Sequence, residues 1–195
     1  MLGDQVVPKD AVSNVTQPIE TQRLIIRKFE LDDWRGLYTY ASDPNVMHYM
    51  AEGVLATEAQ ARSFVEQNME DKAESFPVLL KAENKLIGHM VFHLWFGPRT
   101  YELGWVLHPA HQRKGYVTEA AQALLKHSFE SLNAHRVIAT CQPENPASHR
   151  VMEKIGMRRE GHFRKCIHRP DDAIGEVWWD EYFYAILAED WFDQQ

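Results

Sequence analysis

The sequence predicts a single α/β domain with a mixed, mostly antiparallel central sheet flanked by helices. Three β-rich segments follow one another between residues 76 and 107, as in an antiparallel meander. After residue 107, helical and strand patterns alternate, as in β-α-β units. The 195 residues are 45% hydrophobic and 25% charged, which is ordinary for a globular protein with one sizeable core. We therefore expect one domain over residues 19–195 and a flexible tail over residues 1–18.

The part of the chain before the meander predicts one strand and two helices. Residues 21–29 are β-rich, and residues 31–41 carry apolar side chains at helical spacing. Asp43-Pro44-Asn45 should end that helix, and residues 46–56 have an irregular pattern. Thr57-Glu58-Ala59-Gln60 has the pattern of a capping box, so a second helix is expected to run to residue 72.

The meander and the alternating half follow in order. Strands are predicted over 76–82 and 85–95, joined by a tight turn at Glu83-Asn84, and over 100–107, after a break at Gly97-Pro98. The elements expected after them are a helix over 115–131, a strand over 136–141, a helix from Pro146 to 154 or 155 that Gly156 stops, a strand over 157–165, a polar loop over 168–172 and a strand over 177–186.

Charge and cysteine content exclude several classes of protein. A net charge of −7 argues against general nucleic-acid binding, which needs a basic face, and suits a cationic acceptor. Cys141 and Cys166 lie in unrelated segments, so they predict neither a zinc ribbon nor a disulfide scaffold. No apolar run has the length of a membrane span, and the first 18 residues do not resemble a secretory signal. We expect a cytoplasmic protein with no nucleic-acid or membrane partner.

The most informative stretch runs from Gly104 to Ala121, where a strand passes through a polar turn directly into a helix. The first N–H groups of a helix have no intrahelical partner, and the helix dipole is positive at that end. The turn contains no acidic side chain, and two cations, Arg113 and Lys114, precede Gly115. Such a junction can bind phosphate. It has neither the Walker spacing nor the Gly-x-Gly-x-x-Gly pattern, which disfavours a nucleotide-binding protein of either of those types.

Four segments resemble the GNAT N-acetyltransferases, and they occur in that family's order. Gln112-Arg113-Lys114-Gly115-Tyr116-Val117 resembles the family signature Gln/Arg-x-x-Gly-x-Gly/Ala. The other three are the opening strand Glu20 to Leu24 with Arg27, the strand Tyr101 to Trp105, and the segment Pro143 to Met157. The resemblance covers residues 20–191 and is closest to the branch that includes the ribosomal-protein N-terminal alanine acetyltransferases. It implies the GNAT (acyl-CoA N-acyltransferase) fold and acetyl-CoA as donor.

The resemblance also implies where acetyl-CoA binds. In the family, N–H groups of the signature loop hold the CoA pyrophosphate, while the preceding strand presents backbone groups to the pantetheine arm and polarises the thioester carbonyl. The implied contacts are Trp105, Val106, Leu107, Gln112, Arg113, Lys114, Gly115, Tyr116, Val117, Thr118 and, for the pantetheine amide, Asn145. Val117 departs from the family, which usually has Gly or Ala there. Asn145 also suits a turn, and the two roles are compatible.

Acetyl transfer to an amine requires two proton movements. The acceptor arrives as an ammonium and must lose a proton before it attacks, and a thiolate must then leave. Glu102 is the candidate base, directly or through a water, although strand carboxylates are often structural partners instead. Many family members place a tyrosine near the leaving sulfur where this chain has Met152, so Ser148 is the candidate donor. A first-turn helix serine commonly bonds to backbone, which is the alternative role.

The histidine pairs predict no metal site. His108 and His111 flank a proline in a loop, and His89 and His93 share one strand face without a carboxylate or cysteine cluster. The aromatic residues between 178 and 184 are expected to fill the core and a sheet face, with some of them beside the acceptor.

The identity of the acceptor amine is left open by the sequence. We expect the amine to enter between residues 46–56 and the late loop 166–175, and the family branch points to a protein N-terminal α-amino group. A small-molecule amine, such as an antibiotic, a polyamine or an amino-acid derivative, is the alternative. The missing tyrosine at Met152 also leaves open a non-catalytic acyl-CoA-binding module. Acetyl-CoA and the amine are the expected partners, and a homodimer is left open.

Overall fold

A computed structural model describes residues 15–171 and 175–193. The strands are β1 (Ile19–Glu20), β2 (Leu24–Ile26), β3 (Ser75–Leu80), β4 (Lys85–Leu94), β5 (Thr100–Leu107), β6 (Arg136–Cys141), β7 (Arg158–Asp171) and β8 (Gly175–Leu187). The helices are α1 (Trp34–Ala41), α2 (Pro44–Met47), α3 (Glu58–Gln67), α4 (Tyr116–Glu130), α5 (Pro146–Lys154) and α6 (Ala188–Asp193). None of the helices described has both the length and the apolar character of a membrane span.

The eight strands form one sheet in the order β1-β2-β3-β4-β5-β6-β8-β7. Neighbours are antiparallel, except that β5 and β6 run parallel within the part of the chain that the structure describes. Helix α4 connects β5 to β6, as a parallel pair requires. The predicted mixed, mostly antiparallel sheet with flanking helices is confirmed.

The parallel pair separates along its length. Strands β5 and β6 pair only from Thr100 with Arg136 to Glu102 with Ile138. Beyond that point β5 continues to Leu107 against β4, and β6 continues to Cys141 against β8. A gap therefore opens at the carboxyl ends of β5 and β6, where α4 and α5 begin. Ligands of open α/β sheets bind at such a position.

Two apolar cores cover the two faces of the sheet. Helix α4 buries Ala120, Ala121, Leu124 and Leu125 in the larger core. Helices α1 and α3 bury a second core on the other face, which includes Leu37, Tyr40, Val65 and the β5 residue Val106. The helix that starts at the gap is therefore fixed by a continuous buried stripe.

Most predicted elements are confirmed, and the exceptions have local causes. The predicted strand 21–29 is wrong in extent, because β2 ends at Ile26 opposite Val78. The next β3 residue, Pro77, accepts from the N–H of Arg27 (3.4 Å) but has no N–H to return. Helix α3 ends at Gln67 rather than at residue 72, because the Asn68 side chain caps it by donating to the Phe64 carbonyl (2.9 Å). The same side chain accepts from the N–H of Ser75 (2.9 Å), so the chain turns there into β3.

The predicted polar loop over residues 168–172 is also wrong. Residues 168–171 belong to β7, and residue 172 lies outside the described residues. Polar side chains are tolerated in this strand because it lies at the edge of the sheet. The short helices α2 and α6 were not expected. Of the predicted tail, residues 1–14 lie outside the description, while Val15 is buried in the larger core.

Candidate active site

A cleft of about 1460 Å³ occupies the gap between β5 and β6. At one end it reaches the start of α4, and at the other it reaches residues 49–52 and the β7–β8 hairpin. Of the residues predicted to bind or react, the cleft is lined by Glu102, Trp105, Leu107, Gln112, Arg113, Gly115, Tyr116, Val117, Thr118, Asn145 and Ser148. The fold thus brings segments from three separate parts of the sequence to one cavity.

The start of α4 is open to a ligand. Gly115 is the N-cap residue, with φ 80°, and no side chain caps the first N–H groups of the helix. Arg113 is also left-handed, with φ 61°, so the turn is tight and its residues are exposed. Free N–H groups at a helix start can bind an anion.

An ion-pair network holds this turn against the first strands. The Arg23 guanidinium donates to the carbonyl of Lys114 (3.0 Å) and to Glu119 Oε2 (2.6 Å), and lies 4.5 Å from the centre of the Tyr116 ring. Glu119 also accepts from the Thr21 hydroxyl (2.5 Å). Burial raises the pKa of Glu119, but these hydrogen bonds outweigh it and lower the pKa. Glu119 therefore stays ionised and anchors the helix.

The middle of the cleft is formed by β5 and the start of α5. Trp105 and Leu107 line it, whereas the Val106 side chain is buried in the second core, so only the backbone of Val106 is available here. Asn145 caps α5, because its Oδ1 accepts from the N–H of Ser148 (3.2 Å). Ser148 lines the cleft. Lys114 is not among the lining residues of the described chain, and Arg23 binds its carbonyl.

The far end of the cleft holds Glu102 and His93 side by side. They are cross-strand partners on β5 and β4, and His93 Nε2 lies 3.6 Å from Glu102 Oε2. The side chain of His93 is 23% exposed, and that of Glu102 is 26% exposed. Sequence reasoning considered His93 only as a metal ligand. The sequence did carry a signal for this pairing. In a hairpin that turns at Gly97-Pro98, residue 93 lies as far before the turn as residue 102 lies after it, so the two are expected to be opposite each other.

Three further carboxylates approach Glu102. Burial raises the pKa of Glu102, and the charge of His93 lowers it in part. Glu181, Glu52 and Glu74 raise it further, so the pKa of Glu102 lies above its ordinary value. Burial likewise raises the pKa of Glu181, although a hydrogen bond from Thr140 and the charge of Arg169 act in the opposite direction. This end of the cleft is therefore suited to a cation.

The two segments expected to admit the acceptor meet at this end. Arg169 on β7 donates to the carbonyl of Met50 (3.2 Å). The Trp179 ring packs on His48 and Tyr49, with centroids 5.1 and 5.7 Å apart. Residues 172–174 of the late segment lie outside the described residues.

Two of the histidines that were considered as metal ligands, His108 and His89, have structural partners. His108 Nδ1 accepts from the N–H of Ala110 (3.1 Å) and so caps a short turn. His89 is buried and shares a 2.8 Å hydrogen bond with the Tyr40 hydroxyl. Over residues 15–171 and 175–193, no three His, Cys, Asp or Glu side chains are grouped as metal ligands would be.

A match to a protein family shows which family the chain belongs to. Residues 23–158 match the family described as acetyltransferase (GNAT) domain. The chain belongs to the GNAT acetyltransferase family. The uncharacterized N-acetyltransferase YnaD of Bacillus subtilis (strain 168) is 58% identical over 173 residues, which are 89% of this chain and 98% of that protein. The predicted family and the predicted N-acetyltransferase activity are confirmed.

Solved GNAT structures have the same fold. An acetyltransferase of the GNAT family from Bacillus anthracis superposes with a TM-score of 0.81 at 56% identity, over 89% of this chain and 99% of that chain. The Vibrio cholerae spermidine N-acetyltransferase in complex with CoA and spermine has a TM-score of 0.74 at 25% identity, over 88% and 99%.

A relative named for a protein substrate matches a shorter part of the chain. The ribosomal-protein-serine acetyltransferase of Escherichia coli (strain K12) is 29% identical over 109 residues, which are 55% of this chain and 58% of that protein. Relatives of this GNAT acetyltransferase therefore include enzymes for a small polyamine and for a protein.

Proposed function

We propose that this GNAT acetyltransferase moves an acetyl group from acetyl-CoA to a primary amine that enters at the carboxylate-rich end of the cleft. The observation that carries the proposal is the gap between β5 and β6, which joins an uncapped helix start to Glu102 and its neighbouring carboxylates. One cavity thus offers an anion site for the donor and a cation site for the acceptor.

The residues at the α4 end fit the donor. Gly115 has no side chain to cover the first N–H groups of α4, and Arg113 adds a positive charge beside them. The turn from Gln112 to Thr118 would hold the pyrophosphate, while the backbone from Trp105 to Leu107 and the side chain of Asn145 would hold the pantetheine arm. When bound, acetyl-CoA supplies the acetyl group as a thioester.

The acceptor end fits an ammonium group. Glu52, Glu74, Glu102 and Glu181 all line the cleft. A protein N-terminal α-amino group is one candidate. A small polycationic amine is the second, and it is favoured by the number of these carboxylates and by the spermine bound to the Vibrio relative.

The chain also has groups for the two proton movements. Glu102 lines the cleft and would help to remove the proton of the amine, and Ser148 on α5 also lines it and would donate a hydrogen bond to the departing sulfur. Met152 is 1% exposed and takes no part in proton transfer, since a thioether has no proton to give.

An amine panel tests the proposal. The purified chain should release CoA thiol from acetyl-CoA with spermine, spermidine or a short peptide with a free N-terminus, and mass spectrometry should show one acetyl group per thiol released. The same peptide with a blocked N-terminus and no lysine is the control. Tight acetyl-CoA binding without transfer to any amine would contradict the proposal.

A further inference from the structure

We propose that His93 is a catalytic residue: it binds the acceptor ammonium together with Glu102 and takes the proton that the amine must lose. The inference rests on the proposed function, because it places the acceptor nitrogen in the same cleft. It differs from the expectation that Glu102 alone is the base.

The hydrogen bond at the other ring nitrogen determines what His93 offers to the cleft. His93 Nδ1 lies 3.0 Å from the carbonyl oxygen of Leu94. A carbonyl oxygen can only accept, so Nδ1 carries the ring proton. In the neutral ring, Nε2 then has a free lone pair, and it is Nε2 that faces Glu102.

Two acceptors therefore face each other inside the cleft. Nε2 of His93 and Oε2 of Glu102 are 3.6 Å apart, which is too far for a direct hydrogen bond. A donor with at least two N–H groups can bond to both at once, and a primary ammonium has three. The pair thus matches the chemistry of the acceptor before its proton is lost.

The position of the pair suits the transfer. His93 and Glu102 are directly opposite each other on β4 and β5, at the point where β5 leaves β6. Glu102 lies three residues before Trp105 on the same strand, in the segment expected to carry the thioester. An amine held by the pair therefore lies on the strand that is expected to carry the thioester.

An imidazole is the better base of the two. An imidazole ordinarily has a pKa about two units above that of a carboxyl group, and so lies closer to an amine. The carboxylates whose charges act on Glu102 are Glu52 in the loop after α2, Glu74 before β3 and Glu181 on β8, and His168 and Arg169 on β7 line the same cleft. The carboxylates among them give this end of the cleft a negative charge that attracts an ammonium group.

The reaction balances with these groups. One proton passes from the ammonium nitrogen to His93 Nε2 and then to solvent. The free amine nitrogen forms a bond to the acetyl carbon, and the carbon–sulfur bond breaks with its electron pair on sulfur. The nitrogen loses a second proton as the amide forms, and a proton reaches the thiolate through the Ser148 hydroxyl. The products are the N-acetyl amine, the CoA thiol and one proton.

The test is the pH dependence of turnover in His93→Gln. We expect kcat at pH 7 to fall about a hundredfold or more, with the KM for acetyl-CoA unchanged. The loss should shrink as the pH approaches the pKa of the acceptor, and also with an amine that is already neutral at the assay pH. Glu102→Gln should weaken acceptor binding as well, which would appear as a raised KM for the amine. His135→Gln, an exposed histidine outside the cleft, is the matched control.

The outcomes separate the inference from the proposed function. Wild-type kcat in His93→Gln, or an equal loss at every pH and with every amine, would overturn the role of His93 while wild-type transfer still supports the proposed function. No transfer by the wild-type chain would overturn both. If His93→Gln is unfolded in thermal melts, His93→Asn is measured in the same way, with the same expected and contradicting results.

Discussion

At the scale of single residues, position in the fold separates two histidines that share one strand. His93 lies in the cleft beside Glu102, whereas His89 lies beneath α1 and α3 and is 1% exposed. Burial lowers the pKa of His89 to about 4. One residue type therefore serves as a proton acceptor in one place and as a buried neutral group in another.

The buried His89 predicts a loss of stability on acidification. Below pH 6.5 the unfolded chain binds a proton at this residue that the folded chain does not accept until about pH 4. The unfolded state binds more protons in that window, so the free energy of unfolding should fall between pH 6.5 and 4, by up to roughly 3 kcal/mol.

Urea unfolding at several pH values measures this contribution. His89→Gln should show a flatter dependence of unfolding free energy on pH than the wild type, even where its absolute stability is lower. His135→Gln should keep the wild-type dependence, because that side chain is exposed. Identical slopes in the wild type and His89→Gln would contradict the assignment.

At the scale of elements, the turn before α4 is the feature on which donor binding depends. Its geometry requires φ 80° at Gly115, and a Cβ there would lie 3.4 Å from Nη2 of Arg23. Arg23 in turn holds the turn through Lys114 and Glu119. The loop is thus shaped by the first strands as well as by its own sequence.

We predict that Gly115→Glu abolishes measurable acetyl-CoA binding. The carboxylate would lie where the pyrophosphate is expected and would repel it, and the strained backbone would shift the turn. Gly97→Glu is the matched control, since Gly97 has φ +89° and a Cβ added there would meet no other atom within 4 Å. Calorimetric titration should show wild-type affinity in the control. Equal acetyl-CoA affinity in both variants would contradict the assignment of the turn at Gly115 as the pyrophosphate site.

At the scale of the whole molecule, local patterns predicted the elements and tertiary pairing determined the site. The meander, α4, β6 and α5 could be predicted because turn residues, caps and periodic apolar side chains mark their ends. The separation of β5 from β6 could not, because a parallel register depends on contacts distant in the sequence. The cleft follows from that separation.

Only part of the candidate site could be predicted, for the same reason. The resemblance, together with the proton chemistry of acetyl transfer, indicated Glu102, Gly115, Asn145 and Ser148, and all four line the cleft. The partner role of His93 depends on the register of β4 against β5 and on the bond from Nδ1 to Leu94, which the turn at Gly97-Pro98 only partly indicates. Glu181 comes from a distant strand, and no local pattern marks it.

The most direct test of the account is a crystal structure of the chain with CoA and the best amine from the panel. The account predicts the pyrophosphate on the N–H groups of residues 112–118 and the acceptor nitrogen between His93 and Glu102. A CoA molecule bound outside the gap between β5 and β6, or an amine nitrogen away from that pair, would contradict it.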